Sequence, residues 1–556
     1  MRLDRAATKL LALASTVGVM GALTVTSAMP AGAATSSGPR HQAIVALAGP
    51  GPVSVPGLRV QSYLGAVHAE IVDGTSAQLA QLAAAPGVVG VEANATAHLT
   101  SDSFGPSGDS GTPATAPTLA PTTTSGVTTD GKDNSGKDGS GKDGSGKDGS
   151  GTAAPSEGVL AASTLGGKAG KSDAGSGVTI AVIDTGVADT AALNRASGRL
   201  VDAVDTSGLN SETGHVVEHG VFTDSYGHGT FMASLIAGGK VDGSGKTALG
   251  VAPGATVDVV KVADENGDTS LASVLAGLNW VATHADSVDV ANLSLSVDRP
   301  SDSYGIDPLN YAVTLTRNAG VTVVVAAGNT PGLVGDPGFA PASLTVGSAD
   351  TTGKKASLAL FSGYANVDGV TKPDVVAAGV NVLGEMPADS VIGLEFPNAR
   401  QPSGLFRGSG TSQSAAIVSG LAALYLDGHH WASPQEVKSA IRDGASSIAG
   451  GHTDGQGLVA IPTGNHGPFH TGEQSLNLVQ WYSTVSLWGP FWTDDAWDSR
   501  HWVSRHWTVD LWDSRHWVAR NWTARNWAAR NWMARNWSAR NWAARNWAAS
   551  QWGDVS

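Results

Sequence analysis

Asp184, His228, Asn329 and Ser412 each stand where an apolar or small-residue run breaks. Asp184 follows "VTIAVI" and opens Asp-Thr-Gly. His228 lies between Gly227 and Gly229. Asn329 follows "VVVAAG", and Ser412 lies inside "GSGTSQSAAIVSG" at the start of an Ala-rich helical pattern. A carboxylate, an imidazole and a hydroxyl can act as one unit: the imidazole takes the hydroxyl's proton, and the carboxylate fixes its tautomer and stabilises the imidazolium. A serine at a helix start also gains from free N–H groups and the helix dipole, which favour an anion. An amide can donate to the oxyanion formed when a hydroxyl attacks a carbonyl, an effect worth about 3 kcal/mol. Taken singly, each residue has a plainer reading as a turn Asp, a loop His, a turn Asn and a small-residue-loop Ser. Ser409, Thr411, Ser414 and Ser419 read as structural hydroxyls. A single Asp-Thr-Gly argues against chemistry by two carboxylates sharing a proton.

The elements that must position these residues are legible as runs. Strands are expected at 178–183, 256–262, 288–293 and 321–327, all rich in Val and Ile. Between them, Leu271, Val274, Leu275 and Leu278 recur at helical spacing. Continuous apolar strands alternating with helices predict an α/β fold with a parallel sheet buried on both faces. Sites in such sheets lie at the carboxyl ends of the strands, where Asp184 and Asn329 fall.

Together "VIDTGV", "GHGT", "AAGN" and "GTSQSAA" resemble the signature segments of the subtilisin-like serine proteases, and "GVAPGA", "NLSLS" and "KPDVVAAG" agree with them. The resemblance covers residues 158–463. It extends to 41–98, which is similar to a subtilase propeptide. It implies a subtilisin-like parallel sheet with helices on both faces. Asp184, His228 and Ser412 would be the triad and Asn329 the oxyanion-hole donor. The activity implied is a serine endopeptidase that cleaves protein or peptide substrates through an acyl-enzyme. Its own propeptide would act as folding aid and intramolecular inhibitor. Ser294-Leu295-Ser296 and Ala326-Ala327-Gly328 would bind substrate, the first by strand addition.

The chain departs from the family where Met-Ala-Ala-Pro commonly follows the serine, reading Gln413-Ser414-Ala415-Ala416, and where Ser296 replaces a frequent Gly. The missing Pro removes a helix-start device, and Gln413 places a polar group beside the leaving side. No cofactor is required for the chemistry and no metal ligand is assigned. A structural calcium stays open: Asp242 is the one acid in the loop before "GVAP", and "DENGD" (264–268) reads equally well as a turn. Calcium needs six to eight oxygens.

The 556 residues contain no cysteine, which excludes disulfides, a cysteine nucleophile and thiolate metal sites. Arg2, Arg5 and Lys9 precede an apolar run, and Ala31-Gly32-Ala33 offers a cleavage site. Residues 1–33 therefore read as a secretory signal rather than a retained anchor, and the protein as secreted or envelope-associated. Residues 41–98 read as a small α+β unit, with strands at "AIVAL", "GAVHAEIV" and "PGVVGVEAN" and a Thr-capped helix at "TSAQLAQLAAA". Residues 100–157 are a Thr/Pro run followed by "SGKDG" repeats, expected to be a flexible linker. The catalytic unit is expected over 158–463 and a second linker over 464–491.

From Trp492 to Trp552 a Trp recurs every five residues, thirteen times, and between Arg515 and Arg545 there are seven Arg and no acid. A period of five fits neither a helix face nor a strand face, so no fold is assigned to this tail. The net charge is −14, yet from Ser475 onward nine Arg face six Asp. An acidic body with a basic tail suggests two kinds of partner. Three readings of the tail stand side by side: a drifted repeat, an adhesive segment for an anionic cell-wall or membrane surface, and a trafficking or chaperone role. Nucleic acid is not expected. The rival reading of the whole chain is a catalytically silent surface-binding protein carried by that tail.

Overall fold

The computed structural model describes residues 38–94, 96–98, 102–104, 159–210, 218–241, 248–295, 307–367, 370–448 and 454–462, with 533–534 and 543–544 in the tail. The expected signal, most of the first linker, all of 464–491 and nearly all of the tail lie outside them. No helix among the described residues is long and apolar enough to cross a membrane.

The N-terminal unit runs β1 (Arg40–Leu47), β2 (Arg59–Leu64), β3 (Ala69–Thr75), α1 (Ser76–Ala83) and β4 (Val88–Ala93). The strands form an antiparallel sheet in the order β2-β3-β1-β4. Thr75 caps α1 in a reciprocal box with Gln78, as the Thr before an Ala/Leu run predicts. The expected strand at 65–72 is broken in two places. Gly65–Val67 makes a short 3-10 turn, and His68 takes the left-handed conformation (φ 51°) before β3 begins. Strand β2 was not foreseen from the sequence, because its residues lack a clean apolar alternation.

Two short strands cross from this unit to the larger one. β5 (Thr96–His98) pairs with the strand Asp268–Ser270 and β6 (Ser103–Phe104) with the strand Phe406–Ser409, both antiparallel. Residues 102–104 thus depart from the linker expected over 100–157; strand pairing and a buried ring hold them.

The larger unit begins with β7 (Val159–Leu160), α2 (Ala161–Leu165), β8 (Thr179–Asp184), β9 (Leu200–Asp205) and β10 (Glu218–His219). It continues through α3 (His228–Ala237), β11 (Thr256–Lys261), β12 (Asp268–Ser270), α4 (Leu271–Thr283) and β13 (Val290–Leu293). Then come α5 (Pro308–Asn318), β14 (Thr322–Ala326), β15 (Leu344–Asp350), β16 (Ser357–Leu358) and the hairpin β17 (Ala365–Val367) and β18 (Val370–Lys372). It closes with β19 (Val375–Ala378), β20 (Val382–Gly384), α6 (Val391–Glu395), β21 (Phe406–Ser409), α7 (Thr411–Gly428) and α8 (Pro434–Asp443).

The main sheet has the order β10-β9-β11-β8-β13-β14-β15-β16, with β19 also beside β15. Strands β9, β11, β8, β13, β14, β15 and β19 are parallel, and β10 and β16 add antiparallel edges. Alternate residues of β8 serve opposite faces. Ile180 and Val182 join a core with α3 and α7, while Ala181 and Ile183 join one with α4 and α5. Helices on both faces explain why the strands read as continuous apolar runs.

The N-terminal unit seats on α4 and α5. Ile44, Leu64, Val67 and Ile71 share the core of those helices. Two asparagines pin the joint: Asn279 Oδ1 accepts from Ala66 N (2.9 Å), and Asn94 Oδ1 accepts from Ala272 N (2.8 Å) in the first turn of α4.

Candidate active site

The four singled-out residues lie at the carboxyl ends of parallel strands or at the starts of the helices packed over them. Asp184 is the last residue of β8, and Asn329 lies three residues past β14. His228 opens α3, and Ser412 is the second residue of α7. The structure brings all four together.

His228 Nδ1 donates to Asp184 Oδ1 at 2.7 Å, and both side chains are buried. Asp184 Oδ1 also accepts from Thr185 N at 2.8 Å. Gly186 follows with φ 107°, and a Cβ there would strike the Thr223 carbonyl, so the turn after Asp184 requires glycine.

The start of α3 is held by a residue that sequence reasoning missed. Asp224 is buried and accepts from Gly227 N (2.8 Å), Thr230 N (2.8 Å), Thr230 Oγ1 (2.6 Å) and Thr185 Oγ1 (2.8 Å). A carboxylate at a helix N-terminus satisfies its free N–H groups and opposes the positive end of its dipole. Its only sequence signal is an acid just ahead of the Gly-His-Gly.

Ser294 Oγ donates to the Ser412 carbonyl (3.0 Å), and Ser412 Oγ contacts the Ser294 carbonyl at 3.3 Å. Leu295 is buried beside it, and Ser296 lies outside the described residues. Ala326 ends β14, while Ala327 N donates to Val346 O and Gly328 N to Thr411 Oγ1 (3.1 Å). Gly328 has φ 91°, which turns the chain so that Asn329 faces Ser412's helix. Ser414 donates to the Ala377 and Ala378 carbonyls and Ser419 to Asn292 Oδ1, both structural as expected.

A second unforeseen residue occupies the centre. The Asp102 carboxylate is 1% exposed and lies among three of the four. Its Oδ1 accepts from Ser412 Oγ (3.2 Å) and Asn329 Nδ2 (3.1 Å). Its Oδ2 accepts from His228 Nε2 (3.1 Å). Burial alone would lower the His228 pKa. The Asp184 charge and the hydrogen bonds that the imidazole donates to Asp102 and Asp184 outweigh it and hold the imidazole well above its ordinary value. An imidazolium donating from both nitrogens fits this pair of carboxylates.

The acid-rich run 264–268 folds as a turn, with Asp264 Oδ1 accepting from Asn266 N (2.9 Å) and Asp268 N (3.0 Å). Among the described residues no group of three His, Asp or Glu side chains is placed to hold a metal ion. Asp242 lies outside them.

The profile of the Subtilase family, peptidase S8, matches residues 175–465. Serine protease AprX of Bacillus subtilis is 32% identical over 289 residues, which covers 50% of this chain and 62% of that relative. Subtilisin Savinase of Lederbergia lenta is 31% identical over 286 residues, covering 51% of this chain and 89% of the relative. Among solved structures, fervidolysin from Fervidobacterium pennivorans aligns with a TM-score of 0.52 at 22% identity, over 76% of this chain and 60% of that one. That last likeness is one of fold.

Proposed function

This chain belongs to the subtilase family, and from that premise we propose that it is an exported serine endopeptidase, made as a precursor that its own N-terminal unit holds inactive. The observation that carries this reading is the seat of the Asp102 carboxylate. One small planar group of two oxygens is bonded at once by Ser412 Oγ, His228 Nε2 and Asn329 Nδ2. Groups that converge on a carboxylate can converge on a reacting carbonyl.

In this mechanism Ser412 Oγ attacks the carbonyl carbon of a substrate peptide bond. His228 Nε2 takes the hydroxyl proton as the C–O bond forms, and Asp184 stabilises the imidazolium through Nδ1. Asn329 Nδ2 donates to the oxyanion. The proton then passes from Nε2 to the leaving amine as the C–N bond breaks, leaving an acyl-enzyme on Ser412 that water hydrolyses by the same relay. The chemistry requires all four residues and no cofactor.

Residues 38–104 supply the inhibition. Their sheet packs on α4 and α5, β5 lies along β12, and 102–104 cross the site. A substrate cannot reach Ser412 while Asp102 holds its hydroxyl. The Arg/Trp tail is proposed to retain the protein on an anionic envelope surface. Deleting 492–552 is expected to abolish salt-sensitive retention, and unchanged retention would reject that role.

The test of the main reading is labelling with a fluorophosphonate probe, followed by peptide mapping, on the processed wild-type protein and on His228→Ala. Label on Ser412 that disappears in the variant is expected. Processed protein that takes no label would overturn the reading.

A further inference from the structure

The sheet that carries residues 103–104 has the order β6-β21-β20-β7. β21 runs directly into the helix bearing Ser412, and its partners are β20 on one edge and β6 on the other, with Ser103 opposite Ser409 and Phe104 opposite Gly408. Once residues 102–104 leave, that outer edge offers its backbone to another extended chain, the mode of recognition by strand addition. β5 pairs on β12 and β6 on β21, so an extended chain here runs from β12 past Ser412 to β21, and β21 receives the leaving-group side.

The side chain seated there is aromatic. Phe104 is 7% exposed. Its ring meets Phe231 edge to face (centroids 5.6 Å, planes at 88°) and lies tilted against Phe396 (6.0 Å, 37°). Such pairs add to simple burial. Phe231 is the fourth residue of α3, three after His228. Phe396 caps the end of α6, whose first two residues are tied to the approach to His228 by Val391 N to Ser225 O (2.9 Å) and Ile392 N to Tyr226 O (3.1 Å). Gly408 is the floor: a Cβ there would stand 2.8 Å from Phe104 Cε1.

Gln413 is the second observation. Its side chain is 0% exposed, and neither Nε2 nor Oε1 has a hydrogen-bond partner among the described residues. The Cβ that would lie 2.8 Å from Phe104 Cε1 would also lie 2.9 Å from Gln413 Nε2, so the ring edge and the amide share one small space. A phenylalanine leaves that amide unsatisfied, which is costly at such burial.

The geometry points to a leaving-group-side subsite, built by Phe231, Phe396, Gly408 and Gln413, that selects an aromatic side chain and takes tyrosine above phenylalanine. The selected residue is the third after the bond cut, counting as first the residue that stands where Asp102 stands. Its ring enters between Phe231 and Phe396, and a tyrosine hydroxyl supplies the partner that Gln413 lacks. This specificity rests on the protease reading above.

The test uses the full chain carrying Phe104→Ala, allowed to process itself, so that its own strand competes weakly. The substrates are quenched-fluorescent peptides of residues 96–104 with Ala at the position of Asp102 and Tyr, Phe, Leu or Ala at the position of Phe104. Products are mapped by mass spectrometry. The expected order in kcat/KM is Tyr, Phe, Leu, Ala, with about tenfold between Phe and Ala. A second substitution, Phe396→Ala, is expected to flatten the series by lowering kcat/KM for the Tyr and Phe peptides more than for the Leu and Ala peptides. Gln413→Leu is expected to remove the advantage of Tyr over Phe alone. Equal cleavage of all four peptides would overturn the subsite and leave the protease reading intact. Cleavage of none would overturn both.

Discussion

Thr411 sets the direction of the Asn329 amide. The Thr411 backbone N–H (2.8 Å) and hydroxyl (2.9 Å) both donate to Asn329 Oδ1, which leaves Nδ2 to face the Asp102 carboxylate. The hydroxyl also accepts from Gly328 N. One threonine thus joins the loop after β14 to the helix that carries Ser412. Thr411→Val is expected to lower kcat about tenfold with little change in KM. Asn329→Ala, which removes the donor itself, is expected to cost about 10²–10³ in kcat. Steady-state kinetics on a peptide substrate check both. Equal losses in the two variants would mean that Thr411 does more than orient the amide.

The raised pKa of His228 has a sign that can be tested. Protonation and seating of Asp102 favour each other. The stabilisation this contributes to the precursor is fully present below about pH 6.5, the unfolded value. It is lost as pH rises through the raised folded value. The neutral imidazole that chemistry needs appears over the same rise. Self-processing of the wild-type precursor is therefore expected to quicken as pH climbs above neutral, and Asp102→Asn to move that rise to lower pH. Time courses of precursor loss across pH check this; coincident profiles would reject the coupling.

Asp374 is a buried carboxylate with three cations around it. Lys372 Nζ lies 2.8 Å from Oδ2, while Lys438 Nζ (3.4 Å) and Arg442 Nε (4.0 Å) lie near Oδ1. Burial would raise its pKa, but Lys372, Lys438 and Arg442 outweigh burial and hold it far below the usual carboxylate range. A depressed folded value places its stabilisation above about pH 4, lost as pH falls toward that value. Asp374→Ala leaves Lys372 and Lys438 buried without their anion and is expected to cost about 3–5 kcal/mol at neutral pH. Urea titration measures it, and a loss under about 1 kcal/mol would contradict the argument.

Asp258 behaves in the opposite sense. It lies within β11, 4% exposed, with Oδ1 unpartnered among the described residues. Burial first and the charge of Asp202 second push its pKa up to about 6. Ionisation above that value works against the fold. Asp258→Asn is expected to stabilise the protein at pH 8 by on the order of 2 kcal/mol and to do little at pH 4, where both forms are neutral. Thermal melts at the two values decide.

The four central residues were legible because Asp184 and Asn329 follow apolar runs of buried strands, while His228 and Ser412 open small-residue runs of buried helices. Glycines beside them mark turns that other residues disfavour, as Gly186 and Gly328 demonstrate with positive φ. The residues that hold them were harder to read. Asp224 acts across a turn on a helix not yet located. Thr411 looks like any hydroxyl in a Ser/Gly loop. Asp102 and Phe104 were read with the low-complexity stretch that follows them, since local composition cannot report pairing with a strand some three hundred residues away. One signal was available: Phe104 is the only Phe, Tyr or Trp between Tyr63 and Phe222. A lone aromatic in a polar stretch needs somewhere to bury its ring. Gln413 was singled out by type, but its lack of a partner exists only in three dimensions.

The four-stranded sheet β6-β21-β20-β7 takes one outer strand from before residues 105–158 and the other from after them. The intervening chain therefore leaves and returns to the same small sheet. A bond cut on the N-terminal side of Asp102 would release residues up to that point but not Ser103 and Phe104, which stay covalently leashed to the unit they block. A covalent tether raises the local concentration of its end, against which a passing polypeptide competes poorly. The first cut alone then yields a nicked but still occupied enzyme. On the proposed precursor reading, a second cut within the leash itself would be needed to set the edge of β21 free, so that maturation would take two separately timed steps.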